Sequence, residues 1–408
     1  MSCTSLETSI RPYDRRYAYA MVGAFSLGWI VLMAGMSAMN PLLPLVRAEF
    51  DLSGTETGLL TWAFTLPYLL MQIPAGVLSD RLGAKRILVV MMLVSGLGLV
   101  AQGLWSYGLA ALVVFAIVHR LGSGVYYPTA FGVATSAVPM TERGKASSLL
   151  VMGMALGSAL GLSLAVPLHE IGGNNWRFPL LAFGLLTLLL PAMFQFLTWP
   201  TRQRGATKSG GITNALRDRS LVALFAINFC SNYGFQAVIV WGPSFMSGER
   251  GLSLALAGFY VALINLVGFP SGLLSGALSD RIGRRQMSML LFLAAGAALV
   301  AFATFREPTL VLAAIVGFGV AGKWSSDGVL AAWMGDHVAS KFASAANSVY
   351  GVNNTARMAG ALLAPPITGA LLDHTGTLST GLFLAAAVLC SAAFAAPLVK
   401  EQSPRANT

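Results

Sequence analysis

Long stretches of mostly apolar residues run through this chain of 408 residues, and they constrain its fold more than any other feature. A helix needs about 20 such residues to cross a bilayer. Soluble domains carry about 25% charged residues, whereas this chain carries 10%. Too few charges remain to cover a water-facing surface. The sequence therefore predicts an all-α membrane protein with twelve transmembrane helices and no separate soluble domain.

The predicted spans are residues 18–40, 57–79, 87–105, 108–138, 146–168, 177–197, 220–246, 253–278, 286–305, 308–335, 342–370 and 376–398.

The residues behind the formal net charge of +10 lie mostly on one side of the predicted membrane. With the N-terminus in the cytoplasm, 19 of the 26 Lys and Arg fall on cytoplasmic segments, and only Arg47, Arg177, Arg250 and Arg306 lie outside. Positive residues favour cytoplasmic loops of membrane proteins. We therefore expect a multi-pass protein of a bacterial inner membrane with both termini in the cytoplasm, and we expect no nucleic-acid partner.

A segment of the first half returns 200 residues later. Gly76-Val77-Leu78-Ser79-Asp80-Arg81-Leu82-Gly83-Ala84-Lys85-Arg86 is repeated as Gly276-Ala277-Leu278-Ser279-Asp280-Arg281-Ile282-Gly283-Arg284-Arg285. Each copy joins the second and third predicted spans of its half, and self-similarity on this scale is typical of duplicated transporters. The sequence predicts an N-terminal six-helix bundle (1–197), a cytoplasmic linker (198–219) and a C-terminal six-helix bundle (220–408).

The residues to which we assign a role in conformational switching are Gly76, Asp80, Arg81 and Gly83 in the first copy, and Gly276, Asp280, Arg281 and Gly283 in the second. The last glycine of each copy is suited to a tight turn and the first to close helix contact. Each aspartate is placed to meet the N-terminus of a neighbouring helix, whose dipole favours an anion. The alternative is that the charged residues only anchor the loops in the cytoplasm.

The repeated loop resembles the signature of the major facilitator superfamily, Gly-x-x-x-Asp-Arg-x-Gly-x-Lys/Arg-Lys/Arg, in the expected place in both halves. Arg120 followed by Gly124 in the fourth span is similar to a second motif of that family. The resemblance covers essentially the whole chain. It implies two pseudo-symmetric six-helix bundles around a central cavity that opens alternately to each side of the membrane.

Four ionisable residues lie inside predicted spans, where charge is costly and usually marks a transport pathway. Arg120, Lys323 and Arg357 lie at similar depth near the membrane centre, and Asp327 follows Lys323 at a spacing that allows pairing on one helix face. Three cations against one acid predict a cavity that binds an anion. The alternatives are a structural role for Arg120 and a simple internal ion pair for Lys323 and Asp327.

Polar residues at helical spacing extend the predicted cavity. The candidate substrate-binding residues are Arg357, Lys323, Arg120, Tyr127, Asn232, Gln236, Tyr350 and Asn354. A polar stripe on one face of a membrane helix is what a water-filled cavity requires. The same Asn and Gln side chains are also suited to joining helices by hydrogen bonds, so that interpretation stays open.

The sequence predicts neither an enzyme nor a cofactor-dependent protein. Cys3, Cys230 and Cys390 are scattered without metal-ligand spacing. The chain contains no Gly-x-x-x-x-Gly-Lys-Ser/Thr phosphate-binding loop, which argues against transport driven by its own ATP hydrolysis. We expect no metal and a monomer whose partners are the bilayer, an anionic substrate and protons.

These features favour a secondary transporter that imports a small organic anion, most simply a carboxylate, with Asp327 carrying or gating a proton. The chain resembles organic-anion symporters of the superfamily, with Arg120 and Pro128 matching their fourth helix, but Tyr127 occupies the place of their acid. The alternatives are anion exchange, export of a drug or amphipathic metabolite, and a sensor that no longer transports. The fifth span has the glycines of the drug exporters but lacks their Gly-Pro.

Overall fold

The computed structural model describes residues 15–139, 142–196, 217–342 and 346–400. Its helices are α1 (Arg15–Ser37), α2 (Met39–Glu49), α3 (Gly54–Leu82), α4 (Ala84–Trp105), α5 (Leu109–Gly124), α6 (Tyr126–Ser136), α7 (Arg143–Ile171), α8 (Arg177–Phe196), α9 (Arg219–Glu249), α10 (Leu254–Ile282), α11 (Arg284–Thr304), α12 (Pro308–Ala321), α13 (Lys323–Lys341), α14 (Ala346–Thr375) and α15 (Leu378–Ala395).

These helices form twelve rods in the described part of the chain, because α1 with α2, α5 with α6, and α12 with α13 continue one another. Ten rods are long and apolar enough to cross a membrane. The helices α3 and α14, with 29 and 30 residues, supply the other two. The predicted all-α membrane fold with twelve spans is confirmed. Residues 198–216 of the predicted linker (198–219) lie outside the described residues.

Three rods are interrupted near their middle, each for a local reason. Pro41 and Pro128 follow the interruptions at Ala38 and Val125 by three residues. Proline has no N–H to donate to the carbonyl four residues earlier, so the helix is weakened there. At Gly322 the backbone turns to ψ −146°, and α13 begins again at the next residue. Helix ends are thereby placed inside the membrane region.

The glycines of α7 serve close packing inside the N-terminal half (α1–α8). A Cβ added at Gly153 would lie 2.5 Å from Ser26 O of α1, and Gly157 and Gly161 lie equally tightly against the backbone of that helix. A spacing of four residues places the three glycines on one face of α7. Small residues let membrane helices approach closely where no hydrophobic force drives them together. This glycine stripe therefore has a structural explanation that requires no drug-export function.

Two glutamates 200 residues apart bind equivalent places in the two halves. Glu49, at the end of α2, accepts from Trp176 Nε1 at 2.5 Å and pairs with Arg177 at the start of α8. Glu249, at the end of α9, accepts from Thr377 Oγ1 at 2.6 Å at the start of α15. The first and last rods of each half are thus joined by the same kind of contact. We had not identified this second repeat from the sequence.

The halves contact each other at the end of the molecule that holds these glutamates, which we call the closed end. Asp373 of α14 accepts from Gly54 N at 2.6 Å, from Thr55 N at 2.7 Å and from Thr55 Oγ1 at 2.6 Å. A carboxylate from the C-terminal half (α9–α15) therefore caps α3 of the N-terminal half. Such a cap satisfies N–H groups that a helix leaves unpaired at its start.

Further contacts extend this seal toward the middle of the molecule. A Cβ added at Gly58 would lie 2.5 Å from Pro366 Cα, and Trp62 Nε1 donates to Leu362 O at 2.7 Å. Helices α7 and α10 form a second contact between the halves, where a Cβ added at Gly258 of α10 would lie 2.5 Å from Leu162 O of α7. The seal therefore consists of α3 against α14 and α7 against α10.

The opposite end holds the described chain termini and the repeated loops, and we call it the terminal end. Here Gly132 of α6, Gly276 of α10 and Gly351 of α14 face open space, with no atom within 4 Å of an added Cβ. The close helix contact expected at Gly276 is therefore not seen among the described residues. The hydrogen bonds between the halves in the described part of the chain lie at the closed end or near the middle. We infer from these two observations that a cavity between the halves opens toward the terminal end.

Candidate functional site

The central charged residues form a triad that spans two helices of the C-terminal half. Asp327 Oδ2 lies 3.2 Å from Lys323 Nζ, one turn earlier on α13, and 2.6 Å from Arg357 Nη2 of α14. The side chains are 12%, 19% and 27% exposed for Lys323, Asp327 and Arg357 respectively. The predicted pairing of Lys323 with Asp327 is present. The pairing of Arg357 with Asp327 was not predicted, because residues on different helices show no spacing pattern in the sequence.

The position of Lys323 follows from the break in its rod. It is the first residue of α13, directly after Gly322, so its side chain leaves the helix where the chain turns. Its Nζ donates to Asn232 Oδ1 of α9 at 2.7 Å and lies 5.4 Å from the centre of the Phe235 ring. An ammonium over an aromatic face is stabilised by the ring quadrupole. Lys323 is therefore held by an acid, an amide and a ring at once.

The triad carries a net charge of +1 when its acid is ionised. In the described part of the chain, Arg357 commits one donor to Asp327 and leaves Nε without a partner. A guanidinium has five N–H donors in a planar fork that matches a carboxylate. The triad thus has the net positive charge that an anion requires, and one guanidinium N–H of Arg357 that no described residue uses.

Tyr127 belongs to the N-terminal half and lies near the triad. Its side chain is 41% exposed, and it lies close enough to Arg357 and Asp327 for electrostatic interaction. Its ring packs edge-on against Trp29, with centroids 6.0 Å apart. The phenol of Tyr127 therefore lies near the triad and comes from the other half of the chain.

Arg120 is placed in a different environment. It is 8% exposed, its Nη2 donates to Met36 O near the end of α1 at 2.8 Å, and its guanidinium lies 6.0 Å from the centre of the Phe64 ring. It forms no ion pair with any residue that the structure describes. This geometry favours the structural alternative, in which Arg120 stabilises the interrupted first rod.

The other predicted polar residues divide into two groups. Asn232 contacts Lys323 directly, and its Nδ2 donates back to Asn228 O at 3.1 Å, which fixes the orientation of its amide. Gln236 and Asn354 are half-buried, and Tyr350 is exposed toward the terminal end. The structure therefore places Asn232 in contact with the triad, and the binding roles of all four residues stay predictions.

Sequence reasoning missed two residues that contact this region. Phe235 lies under Lys323, and Asn265 of α10 accepts from Trp324 Nε1 at 2.9 Å. Phe235 follows Asn232 by three residues, and that helical spacing was a usable signal. Asn265 is the only polar side chain among residues 261–270 of α10, and nothing in that local pattern identifies its partner.

The repeated loops show the predicted turns. Gly83 and Gly283 have φ of +89° and +98°, a region that residues with a Cβ rarely adopt. Asp280 pairs with Arg284 at 3.1 Å instead of meeting a helix N-terminus, and Arg284 also bonds Asp336 of α13. Arg281 is exposed. The side chains at Gly76, Asp80 and Arg81 lie outside the described set, so their roles stay predictions.

Comparisons with known proteins agree with this architecture. The sequence model of the Major Facilitator Superfamily matches residues 25–365. A bacterial homologue of the human lysosomal transporter Spinster, solved in an inward-facing and occupied conformation, superposes with a TM-score of 0.80 over 96% of this chain and 100% of that chain. The identity is 18%. At this identity the likeness concerns the fold alone.

Curated relatives of similar length carry transporter names. A probable sulfoacetate transporter of Cupriavidus necator is 26% identical over 95% of both chains. A hexuronate transporter of Bacillus subtilis is 24% identical over 90% of this chain and 91% of its own. A multidrug efflux protein of the same bacterium is 27% identical over 86% of both chains. Together with the family match over most of its length and its twelve membrane rods, this shows that the chain is a transporter of the major facilitator superfamily.

Proposed function

We propose that this protein imports a small organic anion together with a proton, and that the Lys323–Asp327–Arg357 triad is the binding site. The observation that carries the proposal is a single carboxylate shared by two cations on the neighbouring helices α13 and α14. Charge inside a membrane protein is costly and is retained where it acts on a substrate or ion. A net positive site opposes cationic drugs and favours anions.

The shared carboxylate explains how a proton and an anion would be coupled. Asp327 occupies the position that a substrate carboxylate would take between Lys323 and Arg357. Two unit charges 4 Å apart interact by on the order of 4 kcal/mol at a protein-like dielectric constant. Protonation of Asp327 would leave both cations without a counter-charge, and an incoming anion would replace it. Each ligand therefore strengthens the binding of the other, as linkage requires.

The named relatives support the substrate class. Sulfoacetate, tartrate and hexuronates, which appear in the names of relatives, are all small organic anions. Because another relative is named for multidrug efflux, drug export is the competing proposal for this protein. The charge of the triad favours anion transport over cationic-drug export. The following experiment distinguishes proton-coupled anion uptake from the exchange of one anion for another without a proton.

Uptake into proteoliposomes tests the proposal. Purified protein is reconstituted, and entry of labelled sulfoacetate, tartrate and glucuronate is measured with the outside more acidic than the lumen. We expect at least one anion to accumulate above its external concentration and to leave again when a protonophore is added. Entry that requires preloading with an anion, and ignores the pH gradient, would identify an exchanger. Extrusion of a cationic dye without anion uptake would favour export.

We further propose that the terminal end faces the cytoplasm, as the positive charges of its loops indicate, so that the closed end faces outward. A cysteine replacing Thr57 then reports on the seal, because this residue is 1% exposed near the start of α3. A cysteine replacing Tyr107, 74% exposed in the loop before α5, serves as an accessible reference. Both are introduced after the native cysteines are replaced by serine.

Asp373→Asn should open this seal. The amide cannot accept the three hydrogen bonds that the carboxylate accepts from Gly54 and Thr55, and hydrogen bonds to charged groups contribute about 1.5–3 kcal/mol each. We expect a membrane-impermeant maleimide added outside to label the Thr57 reporter about tenfold faster, with the Tyr107 reference unchanged. An unchanged rate would contradict the role of Asp373 in the seal. Labelling of the Tyr107 reference only from inside would reverse the proposed orientation.

A further inference from the structure

A line of hydrogen bonds crosses between the halves beside the triad. Ser37 Oγ of α1 donates to Ser158 Oγ of α7 at 3.0 Å. Asn265 Nδ2 of α10 donates to the same hydroxyl at 3.4 Å, and Asn265 Oδ1 accepts from Trp324 Nε1 of α13 at 2.9 Å. We call Ser37, Ser158, Asn265 and Trp324 the polar thread. Its longest contact, Ser158 to Asn265, is the one that joins the two halves.

The direction of the hydrogen bonds is determined by chemistry. An indole N–H only donates, so the oxygen of the Asn265 amide must face Trp324 and its NH₂ group must face Ser158. Asn265 is fully buried. A buried amide oxygen that loses its donor is left without a hydrogen bond, which is unfavourable. The two ends of this one amide therefore bind the C-terminal half and the N-terminal half in a fixed orientation.

The thread lies at the inner edge of the seal. Toward the closed end, α7 and α10 touch at Leu162 and Gly258, and toward the terminal end Gly276 faces open space. Asn265 lies between these two positions on α10. Its contact with Ser158 is thus placed where the closed part of the interface gives way to the cavity.

The thread also begins next to the proposed anion site. Lys323 and Trp324 are the first two residues of α13, directly after the break at Gly322. The Trp324 ring lies against α10, where a Cβ at Gly268 would be 2.8 Å from Trp324 Cδ1. Because the two residues are adjacent in the chain, a shift of the start of α13 toward a bound anion would displace both Lys323 and the indole that holds Asn265.

We propose that Asn265 and Trp324 are positioning residues that couple anion occupancy at Lys323 to opening of the closed end. This inference rests on the proposed function for its ligand. When Lys323 is drawn toward a bound anion, the indole moves, Asn265 loses its donor, and the contact with Ser158 weakens. Opening of the seal acts on Lys323 by the same route, since coupling between sites is reciprocal.

Two conservative variants test the thread. Trp324→Phe keeps a ring beside Phe235 but removes the N–H donor, and Asn265→Leu keeps the shape but removes both hydrogen bonds. The controls are Trp333→Phe on the same helix, whose Nε1 has no partner among the described residues, and Ser271→Ala on α10, whose hydroxyl bonds Val320 O within one half.

The first readout needs no substrate. We expect each test variant to raise outside labelling of the Thr57 reporter about fivefold, and the double variant to be labelled no faster than the faster single variant. The two controls should match the parent. Three results would overturn the proposed role of the polar thread. In the first, Trp324→Phe labels the Thr57 reporter at the parental rate; in the second, Trp333→Phe raises the rate as much as Trp324→Phe does. In the third, the double variant raises the rate by the product of the two single effects.

The second readout adds sulfoacetate, tartrate or glucuronate at saturation. In the parent we expect the anion that binds to change the labelling rate at least threefold. In both test variants this change should disappear while the dissociation constant stays within about threefold of the parent. A retained change would overturn the coupling. If the parent binds none of the three anions, the proposed function fails, and the first readout still decides whether the thread holds the seal.

Discussion

Arg357→Gln should abolish anion binding and uptake. The substitution removes the guanidinium that bonds Asp327 at 2.6 Å and whose buried Nε has no partner among the described residues. Truncating one partner of a buried, hydrogen-bonded charge pair costs about 2–5 kcal/mol. We therefore expect the dissociation constant to rise at least about 30-fold and uptake to fall to the level of empty vesicles. Equilibrium binding and proteoliposome uptake measure the two effects.

Arg306→Gln is the matched control for this experiment. It removes one positive charge from an exposed position in the loop before α12 and should leave binding and uptake unchanged. Arg357→Lys keeps the charge but loses the planar fork, and it should retain weakened binding. Normal binding by Arg357→Gln, in protein that elutes as a single species, would refute the anion site and favour transport of a neutral or cationic compound.

Asp327→Asn should uncouple transport from protons while sparing exchange. The amide has the shape of the neutral acid, so it leaves Lys323 and Arg357 without their counter-charge at every pH. An anion then binds without competition from a carboxylate and without taking up a proton. We expect accumulation driven by a pH gradient to disappear, exchange of internal for external anion to persist, and binding to lose its pH dependence.

The wild type should differ from this variant in the pH dependence of its anion affinity. Its anion affinity should rise as the pH falls, because protonation of Asp327 frees both cations. Glu307→Gln at the start of the same rod is exposed and serves as the control. Accumulation by Asp327→Asn with an undiminished proton dependence would remove Asp327 from the coupling mechanism and direct attention to another titratable group.

The membrane fold was predictable from the sequence because it depends on local properties. Hydropathy, charge placement and the 200-residue repeat are all visible without knowing which helix contacts which. A bilayer admits few architectures, since every backbone polar group within it must be satisfied internally. The prediction of an all-α protein with twelve spans in the major facilitator superfamily was therefore confirmed.

The candidate site was predictable only where its residues share one helix. Lys323 and Asp327 follow a helical spacing, and their pairing was expected. Arg357 has no acid within one turn on its own helix, and its contact with Asp327 depends on how α13 and α14 pack. Arg120 was grouped with the other cations by depth alone, whereas packing places it against Met36 and Phe64.

The sequence by itself determined the number of spans, the turns at Gly83 and Gly283, and the concentration of charge near the membrane centre. Only the tertiary structure decided that Asp327 serves two cations, that Asp373 caps a helix of the other half, and that Asn265 joins the halves. The physical reason is range. Hydropathy and turn geometry act between neighbours in the chain, whereas these hydrogen bonds join residues up to 319 positions apart, and their partners are selected by helix packing.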